Sequence, residues 1–253
     1  MDERAPTRPR GIYLLPNLFT TGGLFAGFFA IIAASQGRFE AACVAIFVAA
    51  ILDGIDGRVA RLTNTQSEFG VQYDSLADLI SFGMAPALVM YHWALSAMKL
   101  DGATLGKVGW LAAFLYAACA ALRLARFNTQ VGQVDKRWFI GLASPAAAGL
   151  MASLVWTFHD LGWSGAELRY VAAVLTVTAG LLMVSRIRYH SFKGGGEGPR
   201  AERVPFAAIV VAVAVIIALV IDPPRVLFAA AALYALSGPA LWLVRRWRGP
   251  AAG

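Results

Sequence analysis

Asp53, Asp56, Asp74 and Asp78 fall within the stretch LDGIDGRVARLTNTQSEFGVQYDSLAD, residues 52–78, of a chain that is 58% hydrophobic. Asp53, Asp56, Gly57 and Ala60 stand at i, i+3, i+4 and i+7, one face of a helix. Gly70, Asp74 and Asp78 repeat at i, i+4 and i+8, with Ala77 and Ser81 beside them. Two neighbouring antiparallel helices would aim two carboxylates each into one space, lined by residues small enough to leave room for a ligand. A single Asp near a helix end is ordinarily a cap or a solvated charge, but four on facing sides cannot all be caps. Left unneutralised they would repel one another. Hard oxygen ligands without His or Cys suit Mg²⁺ or Mn²⁺, and four carboxylates can hold two such divalent cations, whose charge cancels theirs.

The elements that must carry this cluster belong to a membrane protein. The chain has 253 residues, a mean hydropathy of +0.63 and 15% charged residues, against about 25% in soluble domains. A bilayer core needs roughly 20 mostly apolar residues per helical crossing. Eight segments qualify, about 16–35, 40–62, 70–98, 106–128, 143–161, 167–187, 204–221 and 225–244. No period-2 alternation at barrel spacing is present, so the expectation is an all-α, polytopic helical bundle with about eight transmembrane helices. The N-terminal MDERAPTRPRG lacks the apolar segment and cleavage site of a signal peptide, so the first span is expected to be retained.

Charge sets the expected orientation. Arg4, Arg8, Arg10, Arg58, Arg61, Arg123, Arg126, Lys136, Arg137, Arg186, Arg188, Lys193, Arg200, Arg203, Arg245, Arg246 and Arg248 fall on one side of these spans. Arg38, Lys99, Lys107, Arg169 and Arg225 fall on the other. Seventeen against five predicts cytoplasmic termini, with the four aspartates at the cytoplasmic ends of the second and third spans. This topology and attraction to anionic membrane lipids account for the pI of about 9.8, with no nucleic-acid partner. The other acidic residues fall in termini, loops or helix ends.

Cys43 and Cys119 lie within apolar spans and read as packing residues. His92, His159 and His190 have no metal spacing, and most of the seven Trp fall near span ends, as interfacial aromatics do. FKGGGEGPRAER, residues 192–203, reads as a flexible loop.

Written out, the acidic stretch is Asp53-x2-Asp56-Gly57-x2-Ala60-Arg61-x8-Gly70-x3-Asp74-x3-Asp78. It resembles the signature of the CDP-alcohol phosphotransferase family at all eight fixed positions. The resemblance implies an integral membrane enzyme, generally homodimeric, that displaces CMP from a CDP-linked substrate with an incoming hydroxyl. It implies Asp53, Asp56 and Asp74 as metal ligands, and Asp78 as ligand and general base. Gly57 and Ala60 would let the nucleotide lie close to the helix, Arg61 would contact phosphate, and Gly70 would complete the CDP-lipid site with Asn17, next to Pro16. An N-terminal cap explains Asn17 nearly as well.

Further stretches resemble the bacterial members of this family that join CDP-diacylglycerol to L-serine: LPNLFTTGGLFAGFFAIIAA (15–34), GRFEAA (37–42), DGRVARLTNTQSEFG (56–70), YDSLADLISFGMAPALVMY (73–91) and RLARFN (123–128). The resemblance covers about residues 12–150 of a single membrane-embedded domain spanning 1–253, with C-terminal helices over 151–248. It implies the inner membrane of a bacterium, with the site open to the cytoplasm. Arg123, Arg126 and Asn128 are the candidates for reading serine or phosphate, since a carboxylate acceptor wants a guanidinium and choline an aromatic or acidic cage. The alternative for these arginines is that they only obey the positive-inside rule. Choline, glycerol 3-phosphate or an inositol phosphate are the alternative acceptors, and a cation-coupled transporter is the alternative class. One departure is visible: Gly141-Leu142-Ala143-Ser144-Pro145 stands where Gly-Leu-Pro-Ser-Pro is expected, which should loosen the turn before the fifth span.

Overall fold

The computed structural model describes residues 14–63, 67–129, 138–190 and 206–247. The N-terminal arginines, Lys136 and Arg137, the 192–203 loop with Lys193, Arg200 and Arg203, and Arg248 lie outside the described residues.

Helix α1 (Leu14–Ser35) turns at Gly37, whose φ of 74° is open to glycine, into α2 (Phe39–Leu62). The two form a close hairpin because their facing sides are small. Ala26, Ala30, Ala33 and Ala34 are buried with Ala42, Ala45, Ile46 and Ala49, and a side chain at Gly23 would touch the Ala49 carbonyl at 3.7 Å. Such small-residue seams let helix backbones approach where apolar surroundings offer little hydrophobic drive.

The third predicted segment is continuous from 68 to 101 but not uniformly α-helical. It runs as α3 (Glu68–Asp78), a π-helical stretch (Leu79–Met84), α4 (Ala85–Trp93) and a 3₁₀ tail (Leu95–Asp101). Ser67 starts it by accepting a 3.0 Å bond from the Gly70 N–H, an N-cap. The remaining helices are α5 (Ala103–Thr129), α6 (Ser144–Asp160), α7 (Arg169–Val184), α8 (Phe206–Ile221) and α9 (Pro223–Trp247). All eight predicted segments are thus helical. By length and apolarity Pro16–Ser35, Glu68–Asp101, Ala103–Thr129 and Pro223–Val244 are long enough to cross a membrane, and Arg169–Val184 and Ile209–Ile221 are shorter apolar helices.

A short antiparallel ribbon departs from the all-α expectation. Strand β1 (Trp138–Ile140) pairs with β2 (Arg188–His190), in the register Trp138 with His190, Phe139 with Tyr189 and Ile140 with Arg188. Three-residue strands are too short to carry a periodic signal. Beyond β1 the chain turns at Gly141 (φ 81°), where a Cβ would lie 2.2 Å from the Met183 carbonyl oxygen, so only glycine fits. Ala143 then caps α6 with φ −62° and ψ 137°. That φ is the one proline would impose, so the turn expected to loosen keeps a proline-like geometry.

The ends of the helices far from the aspartates are clamped by ion pairs. Arg169 Nη2 donates to Asp101 Oδ1 at 2.8 Å, and the Tyr170 hydroxyl donates to Asp101 Oδ2 at 3.0 Å. Arg225 joins Asp160 at 3.2 Å and also Asp222, whose carboxyl it holds below the usual carboxylate range. Three of the five cations expected on the side opposite the aspartates are held in these two clusters.

Candidate active site

The carboxylates of Asp53, Asp56 and Asp74 each offer an oxygen within 4.8 Å of the others, the first two from α2 and the third from α3. Asp78, one turn beyond Asp74, approaches Asp53 within side-chain hydrogen-bonding reach. The four carboxylates converge as their spacing predicts, with Asp56 buried and the other three partly so. They line a cavity of about 10 Å³ together with Thr20, Gly23, Ala49, Ala77, Ser81 and Phe82. A space of that size admits a single water-sized occupant. The donor set is entirely hard oxygen, held on two helices, and fits a small divalent cation.

Two residues that sequence reasoning missed complete the walls. Thr20 of α1 donates to Asp56 Oδ2 at 2.8 Å, and its hydroxyl also reaches the Pro16 carbonyl at 3.2 Å. Ser81, in the π-helical stretch, donates to the Gly23 carbonyl at 3.0 Å. Within the sequence, Thr20 is an unremarked hydroxyl in an apolar helix, and its only cue is the small-residue run that follows it. Ser81 had one: it is three residues beyond Asp78. The π-helical stretch is where helices are commonly re-aimed at functional sites. Its Phe82 carbonyl accepts from the Tyr116 hydroxyl at 3.1 Å, and Gly83 lies against Ala120 of α5, 3.1 Å from where a Cβ would sit.

The predicted CDP-lipid residues separate into two environments. A Cβ added to Gly57 would meet nothing within 4 Å, so this face of α2 borders open space; Ala60 is half-buried and Arg61 exposed further along it. Gly70 sits instead in a tight corner, where a Cβ would lie 3.2 Å from Ser67 Oγ and 3.6 Å from Asn17 Oδ1. Asn17 and Gly70 are therefore neighbours. One turn on, Thr21 and Tyr73 share a 2.9 Å hydrogen bond between the same two helices.

The three residues of RLARFN also divide. Arg123 donates from Nη1 to Ser144 Oγ at 3.0 Å, interacts electrostatically with Asp78, and has a buried Nε–H without a hydrogen-bond partner. Asn128 donates from Nδ2 to Ser75 Oγ at 3.0 Å, tying α5 to α3 beside Asp74. Arg126 is half-buried on α5.

This arrangement, helices carrying a buried cluster of carboxylates at one end, agrees with comparison to known proteins. Residues 13–184 match the family model described as CDP-alcohol phosphatidyltransferase. The chain belongs to that family and is a transferase. It is similar to a CDP-diacylglycerol–serine O-phosphatidyltransferase of Helicobacter pylori (strain ATCC 700392 / 26695), 42% identical over 182 residues, covering 72% of this chain and 74% of the relative. The protein so named in Bacillus subtilis (strain 168) is 32% identical over 179 residues, 71% of this chain and 91% of the relative. That of Mycobacterium tuberculosis (strain ATCC 25618 / H37Rv) is 41% identical over 159 residues, 58% of this chain and 52% of the relative. Family membership decides against the transporter alternative.

Proposed function

We propose that the protein transfers the phosphatidyl group of CDP-diacylglycerol to the hydroxyl of L-serine, giving phosphatidylserine and CMP. The observation that carries this reading is the convergence of four aspartates beside a guanidinium with a free donor. The names of the relatives support serine as the acceptor.

Asp53, Asp56, Asp74 and Asp78 would hold two divalent cations, Mg²⁺ or Mn²⁺. When bound, these supply Lewis-acid stabilisation of the charge on the phosphate oxygens and the departing CMP. The remaining work belongs to the chain. The open face beside Gly57 and Ala60 admits the nucleotide, and Arg61 pairs with phosphate. Gly70 and Asn17, packed together, border the same CDP-lipid site. Arg123, through its unpartnered Nε–H, receives the serine carboxylate. Arg126 extends the positive charge there, and Asn128 fixes α5 against α3. Serine Oγ forms a bond to the phosphatidyl phosphorus, the bond from phosphorus to CMP breaks, and the hydroxyl proton passes to a carboxylate oxygen of Asp78.

In the same reading residues 1–253 form one domain, catalytic over about 12–150, crossing a bacterial inner membrane about eight times with both termini and the site facing the cytoplasm. The protein works as a homodimer. The test is CMP release by purified protein from CDP-diacylglycerol, with Mg²⁺ or Mn²⁺, comparing L-serine, choline, glycerol 3-phosphate and myo-inositol 1-phosphate. Release with serine alone supports the proposal; release with another acceptor and not serine overturns the choice of alcohol.

A further inference from the structure

The family match ends at residue 184, so α9 lies wholly outside it. This helix is nevertheless keyed to the site. Tyr189 of β2 is fully buried, and its hydroxyl donates to the Ala235 carbonyl at 3.1 Å. Its ring occupies the notch left by Gly238, where a Cβ would lie 2.4–2.8 Å from three ring carbons. Any side chain at 238 would push the ring out. Tyr234, one turn before Gly238, packs its own ring on Tyr189 at 5.6 Å between centroids. A ring in a notch and a hydroxyl on a carbonyl together set both the rotation and the height of α9 against the ribbon.

The ribbon leads to Arg123 from one side and Tyr234 meets it from the other. From β1 the chain passes through Gly141 and Leu142, whose N–H groups bond the Ile187 and Leu182 carbonyls at 2.8 and 3.0 Å, to Ser144, the acceptor for Arg123 Nη1. The ionisable groups that Arg123 feels are Asp78, Tyr234 and Tyr116. The Tyr116 hydroxyl is committed to the Phe82 carbonyl. Tyr234 is therefore the phenol placed to orient the guanidinium without belonging to the aspartate cluster. As a core aromatic alone it would need no polar tip. A planar guanidinium held from two sides keeps its donor fork pre-set for a carboxylate, which lowers the cost of ordering it on binding.

We propose that Tyr234 is a positioning residue for Arg123, kept in register by the Tyr189 ring seated on Gly238, so that α9 sets the affinity for the acceptor alcohol. The inference rests on the assignment of Arg123 to the acceptor made above.

The experiment is steady-state kinetics of CMP release by the full chain in detergent micelles with CDP-diacylglycerol. Tyr234→Phe keeps the ring and removes the hydroxyl. It should raise KM for L-serine about five- to tenfold, the loss of one hydrogen-bonding or dipolar contact, with kcat within about twofold and KM for CDP-diacylglycerol unchanged. In an Arg123→Lys background the same change should add nothing further, because both act through one group. Tyr189→Ala should reproduce the KM effect, whereas Tyr189→Phe, which still fills the notch, should stay close to wild type; thermal unfolding of each variant separates this from misfolding. An unchanged serine KM in Tyr234→Phe, or equal multiplicative losses in both backgrounds, overturns the proposal. Wild-type protein that releases CMP with an acceptor other than serine overturns the serine reading, while Tyr234 is judged by the same KM comparison with that acceptor. No release with any hydroxyl acceptor overturns both.

Discussion

Thr20 of α1 donates a 2.8 Å hydrogen bond to Oδ2 of Asp56 on α2, across 36 residues of sequence. The bond fixes one carboxylate oxygen and leaves the other turned toward Asp53 and Asp74, the grouping a shared cation needs. Thr20→Val keeps the shape and removes the donor. Loss of a partner that orients a metal ligand costs roughly 10- to 100-fold in metal affinity or activity. We expect a loss in that range in kcat/KM, with the apparent Mg²⁺ or Mn²⁺ requirement shifted to higher concentration; a metal titration of CMP release checks it.

Asp78 sits against Asp53 and faces Arg123. Asp78→Asn removes the carboxylate that takes the proton, an effect of about 10²- to 10⁴-fold in general-base catalysis. The variant should bind CDP-diacylglycerol with affinity near wild type while its turnover collapses. Near-normal turnover in Asp78→Asn would overturn the base assignment.

Removal of divalent cations by EDTA should abolish CMP release, and Mg²⁺ or Mn²⁺ should restore it, since four converging carboxylates need neutralising charge. Release that persists after exhaustive chelation and dialysis would remove the cations from the reaction.

Two glycines should fail in opposite ways. A Cβ at Gly27 would lie 2.6 Å from Ser81 Oγ and 2.7 Å from its Cα, so Gly27→Ala pushes α1 away from the π-helical stretch beyond Asp78. Overpacking of that kind costs about 1–3 kcal/mol, so thermal unfolding in detergent should move down along with activity. At Gly57 a Cβ meets nothing within 4 Å. Gly57→Ala should therefore unfold at the wild-type temperature and raise KM for CDP-diacylglycerol, because the added methyl occupies space left for the nucleotide.

Ala143 already has the φ of a proline at the entry to α6. Ala143→Pro should stabilise the protein by about 0.4–1 kcal/mol by restricting the unfolded chain, with activity retained. Thermal unfolding of the variant reads the sign directly.

The helices and the gathering of the four aspartates were legible in the sequence for a local reason. Helical periodicity fixes which residues share a face, and long apolar segments are helical because a buried backbone must satisfy its own hydrogen bonds. Hence Asp53, Asp56, Asp74 and Asp78 converge from spacing alone, and all eight predicted segments are helical. The split within RLARFN was not legible, since Arg123 and Asn128 sit on one helix end but turn to different neighbours, Ser144 and Ser75. Nor did the sequence signal the π-helical stretch, the three-residue ribbon, or the Thr20 and Tyr234 contacts. Each depends on partners far along the chain: Ser81 on Gly23, Tyr189 on Gly238, Thr20 on Asp56. Composition and period determined what lies in each helix and which way it faces. Only the packed tertiary structure, where a missing Cβ or one hydroxyl decides how closely two backbones approach, determined which side chains meet.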